Sequence, residues 1–375
     1  MFKICMWMNV KTHYQSAFFE AISADGRFDL QVRYFSQISA KTQEKGYAKE
    51  GILSPYEKNV SDCRTPQQMS ETVLDWRKRI HIASYAISPQ LVQYWTKENI
   101  RWCHWSERYG IRLVTLLHFH NLLWGLGRPL LWGMKSAEGR YLRNNALGVF
   151  AQGELAKRDF MHVGVPQEKI RYLFYSPAPL ASADPPEEIS KWRADAKLLF
   201  VYIGSLYRRK GIDCLLKAFA KLPPKTKLLL VGPDWEHGYY TALSDRLKLG
   251  DRVKFTGTVP NTNIAAYLSA ADVVIHPARF DGWCVVLDEA ASLGKALIST
   301  DETGAAWHLI RHGENGYRVK AGSVDALREA MWKYLDDPRL VRQHGEVSRK
   351  LYFSEFTPQR NVDRLWDALN SWMTL

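Results

Sequence analysis

Two short stretches of this 375-residue chain concentrate residue types that handle anions and vicinal hydroxyls. The first is Gly204-Ser-Leu-Tyr-Arg-Arg-Lys-Gly211, directly after the apolar run Leu198–Ile203 and before a helical pattern. Gly204 permits a sharp turn, and Gly211 a close backbone approach where the helix starts. Arg208, Arg209 and Lys210 add cations beside a helix N-terminus, which already favours phosphate. A solvated basic turn is the plainer account of Arg-Arg-Lys alone, but its place after a strand favours phosphate. The second stretch is Phe280-Asp-Gly-Trp-Cys-Val-Val-Leu-Asp-Glu-Ala290. Asp281 lies in a loop and Glu289 about one turn into the next helix. A carboxylate accepts two hydrogen bonds side by side, so the pair suits one ribose and one hexose diol. Gly282 between them lets backbone approach a diphosphate. Acidic residues complementing a helix dipole are the alternative for Asp281 or Asp288 taken singly.

The phrase Asp-Gly-Trp-x-Val-Val-x-x-Glu-Ala, the Gly-x5-Lys-Gly loop before it and Gly313-Glu-Asn-Gly-Tyr317 after it resemble family-4 retaining glycosyltransferases. The resemblance is strongest over Leu198–Asp336, and Ala151–Ile170 resembles the family's approach to its linker. It implies a GT-B fold, two Rossmann-like doubly wound domains facing a central cleft. Lys210, assisted by Arg209, would neutralise the diphosphate of a UDP- or GDP-sugar, and Glu289 would hold the ribose. Asp281, standing where glutamate is usual, would contact the transferred sugar. Ser205 replaces a common arginine, a charge that Arg208 or Arg209 would restore. Cys284 stands where glycine is common, within the donor-side run Gly282, Trp283, Cys284, Val285. Thr303-Gly304-Ala305 would offer backbone N–H groups to the phosphates or sugar. The family's usual mid-domain histidine points to His118 or His120 as a catalytic helper, with plain packing of that aromatic segment as the alternative. The resemblance further implies transfer with retention, no required metal and no covalent intermediate. The chain has no Asp-x-Asp motif, consistent with metal independence.

These loops need a framework of alternating strands and helices. In the first half Phe2–Met6, Phe28–Phe35, Ile80–Ile87, Ile100–Trp105 and Ala146–Gln152 read as strands. Gln15–Ser23 and Glu154–His162 read as helices, the latter stopping at Gly164. Ser176–Ala196, rich in Pro, Ala, Ser and acid, reads as linker. A second series follows: strands at Leu198–Ile203, Lys227–Val231, Val253–Thr256, Val273–His276 and Ala296–Ser299, with helices between. Residues 1–180 and 190–354 thus read as two domains, which the resemblance implies bind acceptor and nucleotide sugar respectively, while a C-terminal helix, 355–375, is free to pack on the first. His13 and Tyr14, after the first strand, and Glu107, after the Trp102–Trp105 strand, are read as acceptor contacts; a surface-loop histidine is an equal alternative for His13.

Composition sets the remaining bounds. At 46% hydrophobic and 24% charged residues the chain belongs to folded proteins, and its formal charge of +12 calls for an anionic partner. Five scattered cysteines without a zinc spacing argue against a disulfide framework and for a reducing, cytoplasmic setting. No apolar run is long enough to span a bilayer, and the N-terminus does not read as a secretory signal. Arg108–Arg143 mixes basic and aromatic residues, which suits a peripheral contact with anionic lipid or, equally, a core helix with a solvated side. The resemblance implies a glycan or lipid-linked glycan as acceptor, as in bacterial surface polysaccharide or lipopolysaccharide assembly. Rivals are a non-catalytic carbohydrate-binding protein on the same fold, an epimerase or phosphorylase relative, and a nucleic-acid-binding protein. No nucleic-acid-binding signature supports the last.

Overall fold

The computed structural model describes residues 1–36, 53–109, 133 and 135–374. They form two units: residues 1–177 with 358–375, and residues 178–357. Each is built on one wholly parallel sheet.

The first sheet contains β1 (Phe2–Met8), β2 (Phe28–Tyr34), β3 (Glu57–Asn59), β4 (Ile80–Ala83), β5 (Trp102–Ser106), β6 (Gly148–Ala151) and β7 (Ile170–Tyr172), in the order β3-β2-β1-β4-β5-β6-β7. The second contains β8 (Leu198–Ile203), β9 (Thr226–Val231), β10 (Val253–Gly257), β11 (Val273–His276), β12 (Ala296–Thr300) and β13 (Gly316–Val319), in the order β10-β9-β8-β11-β12-β13. Numbered within each unit, the first runs 3-2-1-4-5-6-7 and the second 3-2-1-4-5-6, so both share the doubly wound order. The strands explain themselves: β8 reads LLFVYI and is buried at every position, as a parallel strand covered by helices on both faces must be.

This winding fixes where loops converge. In both units the chain leaves the first strand toward one edge and later returns to build the fourth strand on its other side. The loops after those two strands diverge and leave a crevice at the carboxyl ends. It lies beside β1 and β4 in the first unit, and beside β8 and β11 in the second.

The framework differs from the sequence reading in identifiable places. β4 ends at Ala83 rather than Ile87, because Ser88 and Pro89 start a helix, Pro89–Lys97. The expected linker holds a helix, Glu187–Arg193, whose Ile189 is wholly buried and whose Trp192 Nε1 donates to the Asp251 carbonyl at 2.8 Å. Two acids in its first turn and two bases in its last favour it electrostatically. The short strands β3, β7 and β13 were not expected. Helix Pro358–Met373 places Val362, Leu365, Leu369 and Trp372 in the first unit's core, with the Trp372 ring edge-on to Phe150 at 4.8 Å. Among the described residues no helix is long and apolar enough to cross a membrane.

Candidate functional site

The second unit's crevice holds the charged residues. After β8 the chain makes a short turn through Arg208–Lys210 and reaches Gly211, whose φ of 69° is left-handed. A Cβ there would lie 2.1 Å from the Pro277 carbonyl oxygen, so only glycine lets this loop press against the loop after β11. Helix Ile212–Phe219 starts at that glycine.

Arg279 locks the two loops together. Its guanidinium forks onto Asp213 at 2.7 and 2.8 Å and donates to the Arg208 carbonyl at 2.8 Å, while its own N–H bonds the Arg209 carbonyl at 2.8 Å. Burial alone would raise the Asp213 carboxyl, but Arg279 outweighs it and holds that carboxyl below its ordinary range.

Thus clamped, the loops bring four groups together. Lys210 Nζ lies 2.5 Å from Asp281 Oδ2, and His276 Nε2 lies 2.7 Å from the same oxygen. Arg209 sits 3.7 Å from Oδ1 and donates to the Phe280 carbonyl at 3.1 Å. Burial pushes the Asp281 carboxyl upward, but Lys210, then His276 and Arg209, overcome this and hold it well below the carboxylate range. Burial, reinforced by Lys210, lowers His276 to about 4. His276 is therefore neutral at pH 7. An ionised carboxylate only accepts, so the His276 proton is on Nε2 and donates to Asp281. Its Nδ1 is buried without a partner, and its ring stacks on Tyr202 at 5.8 Å and 15°. The Tyr202 hydroxyl in turn donates to the Ser205 carbonyl at 3.0 Å.

Glu289 lies on helix Val285–Ser292, which follows the same loop, and is 5% exposed. Asp288, its neighbour, takes the Trp283 Nε1 hydrogen bond at 2.8 Å and is fully buried, which drives its carboxyl well above the usual range. Asp288 is consequently a packing acid whose charged form burial disfavours. Cys284 caps the helix at φ 88°, an unusual conformation for a residue with a Cβ, and burial raises its thiol far above the usual range. It is no thiolate nucleophile.

Several expected donor contacts are corrected. Arg208 turns away: its backbone N–H and Nε bond Glu236 at 3.1 and 3.2 Å, leaving Arg209 to accompany Lys210. Trp283 is 1% exposed and tied to Asp288, so it packs inward instead of lining a crevice. The amides of Thr303, Gly304 and Ala305 are spent inside the protein, on the carbonyls of Thr300, Asp281 and Trp283 at 3.2, 3.1 and 2.9 Å. Gly304 is needed because a Cβ would sit 2.0 Å from the Gly282 carbonyl oxygen. That stretch therefore buttresses the Asp281 loop and does not present donors. Asn315, in the later Gly-Glu-Asn-Gly phrase, is wholly buried and ties Leu309, Arg311 and Ser348, a structural duty.

His276, Asp281 and Cys284 bring three ligand-type atoms within 4.8 Å of one another. Lys210 already occupies the Asp281 oxygen that a cation would need.

In the first unit the expected contacts gather at the sheet's carboxyl edge. Tyr14 packs on Tyr175 at 5.0 Å, His13 on Tyr14 at 5.3 Å, and the Tyr175 hydroxyl bonds Glu107. His118 and His120 lie outside the described residues, as does most of the basic and aromatic stretch. Of that stretch, Arg108 is buried, 3.8 Å from Asp159, and cannot face a lipid surface.

His276, Arg279 and Asp213 were missed by the sequence reading. The signal for His276 was its place as the last residue of a buried strand pointing at the acidic loop. Arg279 and Asp213 pair across 66 positions, which no local pattern discloses.

Residues 185–351 match the family model described as glycosyl transferases group 1. A lipopolysaccharide core biosynthesis mannosyltransferase, LpcC of Rhizobium leguminosarum bv. viciae, is 29% identical over 176 residues, 45% of this chain and 49% of that protein. The lipopolysaccharide core biosynthesis glycosyltransferase LpsD of Rhizobium meliloti strain 1021 is 33% identical over 165 residues, 43% of this chain and 47% of that protein. The chain thus spans about half the length of the curated relatives it matches. Among solved structures, Alr3699/HepE of Anabaena in complex with UDP superposes with a TM-score of 0.73 at 17% identity, covering 98% of this chain and 100% of that one. The lipopolysaccharide outer core galactosyltransferase WaaB, in its apo form, gives 0.68 at 16% identity over 98% and 99%. Both likenesses are of fold: two parallel-sheet α/β domains of the GT-B kind.

Proposed function

We propose that the chain is a glycosyltransferase that moves a sugar from a nucleoside diphosphate donor to a glycan or lipid-linked glycan, with retention at the anomeric carbon. The observation that carries this reading is the contact of Lys210 with Asp281, which joins the loops after β8 and β11 in the crevice of a doubly wound sheet. The nucleotide-binding neighbour of the same fold and the lipopolysaccharide relatives support it.

Without donor, Lys210 and Asp281 satisfy each other. A donor takes both: its diphosphate binds Lys210 and Arg209, and hydroxyls of its sugar bind Asp281, which His276 keeps oriented. Glu289 holds the ribose. As the bond from sugar to diphosphate breaks, charge grows on the β-phosphate, and cations already in place stabilise it without reorganising. The departing phosphate accepts the acceptor's proton on the same face, so no enzyme nucleophile and no metal are required. The acceptor is bound by the first unit, with His13, Tyr14 and Glu107 at its strand ends and His118 as a helper. Assembly of bacterial surface polysaccharide, at the cytoplasmic face of an anionic membrane, fits the chain's net positive charge.

Thermal unfolding with UDP, GDP, ADP and their sugars tests the donor site. The matching nucleotide at about 100 times its Kd should stabilise by about 2.7 kcal/mol. Lys210→Ala and Glu289→Ala should abolish both that stabilisation and transfer. Equal turnover by either variant and the wild type would refute the assignment.

A further inference from the structure

Two carboxylates are assigned to the donor, Asp281 in the loop after β11 and Glu289 on the helix Val285–Ser292. The chain between them turns through Cys284, at φ 88° and ψ 81°. Glycine adopts such a conformation freely, whereas a Cβ crowds the backbone there, so any other residue keeps it only where the surroundings hold it. What holds this turn is therefore part of how the two carboxylates are placed.

On the loop side the ties are backbone bonds. The Asp281 N–H donates to the Glu302 carbonyl at 3.0 Å, and the Asp281 and Trp283 carbonyls accept from Gly304 and Ala305 at 3.1 and 2.9 Å. On the helix side the Leu287 N–H donates to the Cys284 carbonyl at 3.1 Å. A side-chain bond spans the turn itself. The Trp283 indole, 1% exposed, donates from Nε1 to Asp288 Oδ2 at 2.8 Å, and Asp288 is wholly buried, one residue before Glu289.

Packing does not explain an acid at position 288. Its Oδ1 is buried without a hydrogen-bond partner, and burial pushes its carboxyl well above the ordinary range. An apolar side chain would occupy the position without either penalty. A buried indole N–H, however, needs an acceptor, and leaving that donor unsatisfied is costly. The acid is explained by the bond it takes from Trp283.

We infer that Trp283 and Asp288 form a latch across the Cys284 turn, which holds Asp281 at the distance from Glu289 that a nucleotide sugar requires. Both are positioning residues, buried and acting through Asp281. The helix fixes its own end of the latch, so the loop end is the one that moves when the latch opens. The role towards a ligand rests on the glycosyltransferase reading; the latch does not.

Isothermal titration of the full chain with UDP, GDP, ADP and the glucose conjugate of each tests the role, and chemical denaturation tests the latch. Trp283→Phe and Asp288→Leu should each raise the Kd of the nucleotide sugar about tenfold, and that of the bare nucleotide by less than about threefold. Asp288→Asn, whose side-chain carbonyl still accepts from the indole, should stay within about threefold of wild type for both. In denaturation, the variant carrying both Trp283→Phe and Asp288→Leu should unfold at a midpoint little below that of the worse single variant. Equal losses in the Asn and Leu variants would overturn the inference, as would additive midpoint shifts or a nucleotide-sugar Kd unchanged in all three single variants. A wild type that binds none of these nucleotides would sink the donor site and the positioning role with it, while non-additive midpoints would keep the latch.

Discussion

Asp281 carries more of the second unit's site than its size suggests, because one of its oxygens serves both Lys210 and His276. A buried carboxylate with a single cationic partner is free to swing about it; a second, neutral donor from the β11 strand end fixes its plane. His276 is therefore read as a positioning residue that acts through Asp281. The side chain of Gln can place an N–H close to where Nε2 is, whereas Leu fills the space and donates nothing. His276→Leu should lower kcat/KM by about 10- to 100-fold, the worth of one hydrogen bond to a buried charge. His276→Gln should recover to within about threefold of wild type. If Gln and Leu are equally impaired, the ring matters for packing on Tyr202 and not for its proton. A readout that packing alone would not move is the ratio of affinities for the nucleotide sugar and the bare nucleotide, which should fall only in the Leu variant.

At the scale of elements, the loops after β8 and β11 hold their shape through Arg279 and Asp213, neither of which touches the proposed ligand. Removing Arg279 leaves a largely buried acid without its fork. Arg279→Ala should cost about 2 kcal/mol of stability, reduced from a fully buried pair because both side chains keep some solvent. It should also weaken nucleotide binding, since Arg209 and the Gly211 turn lose their brace. Asp213→Ala should do much the same, and the double variant should be little worse than either single one. Additive losses in chemical denaturation would show that the two residues act separately. This pair also marks where reading the sequence reached its limit. Strand runs such as LLFVYI, and loops with glycine beside clustered charge, are local signals and were legible. Lys210, Arg209 and Asp281, which the structure brings together, were legible in the same way. Arg208 and Trp283 were misjudged because sequence gives a side chain's chemistry and not its direction; Glu236 and Asp288 drew them elsewhere. Thr303-Gly304-Ala305 resembled free donors because two of the three carbonyls that consume its amides, those of Asp281 and Trp283, lie on a loop distant in sequence. The Glu187–Arg193 helix was hidden by the prolines preceding it, which begin a helix as readily as they prevent one.

Among the described residues, four fully or nearly fully buried histidines, His344 together with His81, His104 and His276, are lowered by burial, a property that pH exposes. Burial lowers His81 to about 4, His104 to about 3 and His276 to about 4. Each is neutral when folded, and each gains a proton near pH 6.5 when unfolded. Their folded values are depressed, so the stability they allow is complete above about pH 6.5. As pH falls below that, the unfolded chain binds protons that the folded chain refuses, and stability drops until the folded values are reached. Each histidine adds at most about 1.4 kcal/mol per pH unit to that slope. The residues belong to both units, His81 and His104 to the first and His276 to the second, so neither sheet is spared. Carboxylates held low, such as Asp281, titrate below this window, whereas Asp288, which burial holds high, works in the opposite sense and adds stability as pH falls. Thermal melts from pH 7.5 to 4.5 should therefore show Tm level at the top and falling steeply below about pH 6.5. His81→Gln, which keeps a polar amide in place of the ring, should melt lower at pH 7.5 yet lose less on acidification. A Tm that stays flat between pH 7 and 5 would mean the buried rings are protonated or relaxed in the folded chain, and the donor direction assigned to His276 would fall with them.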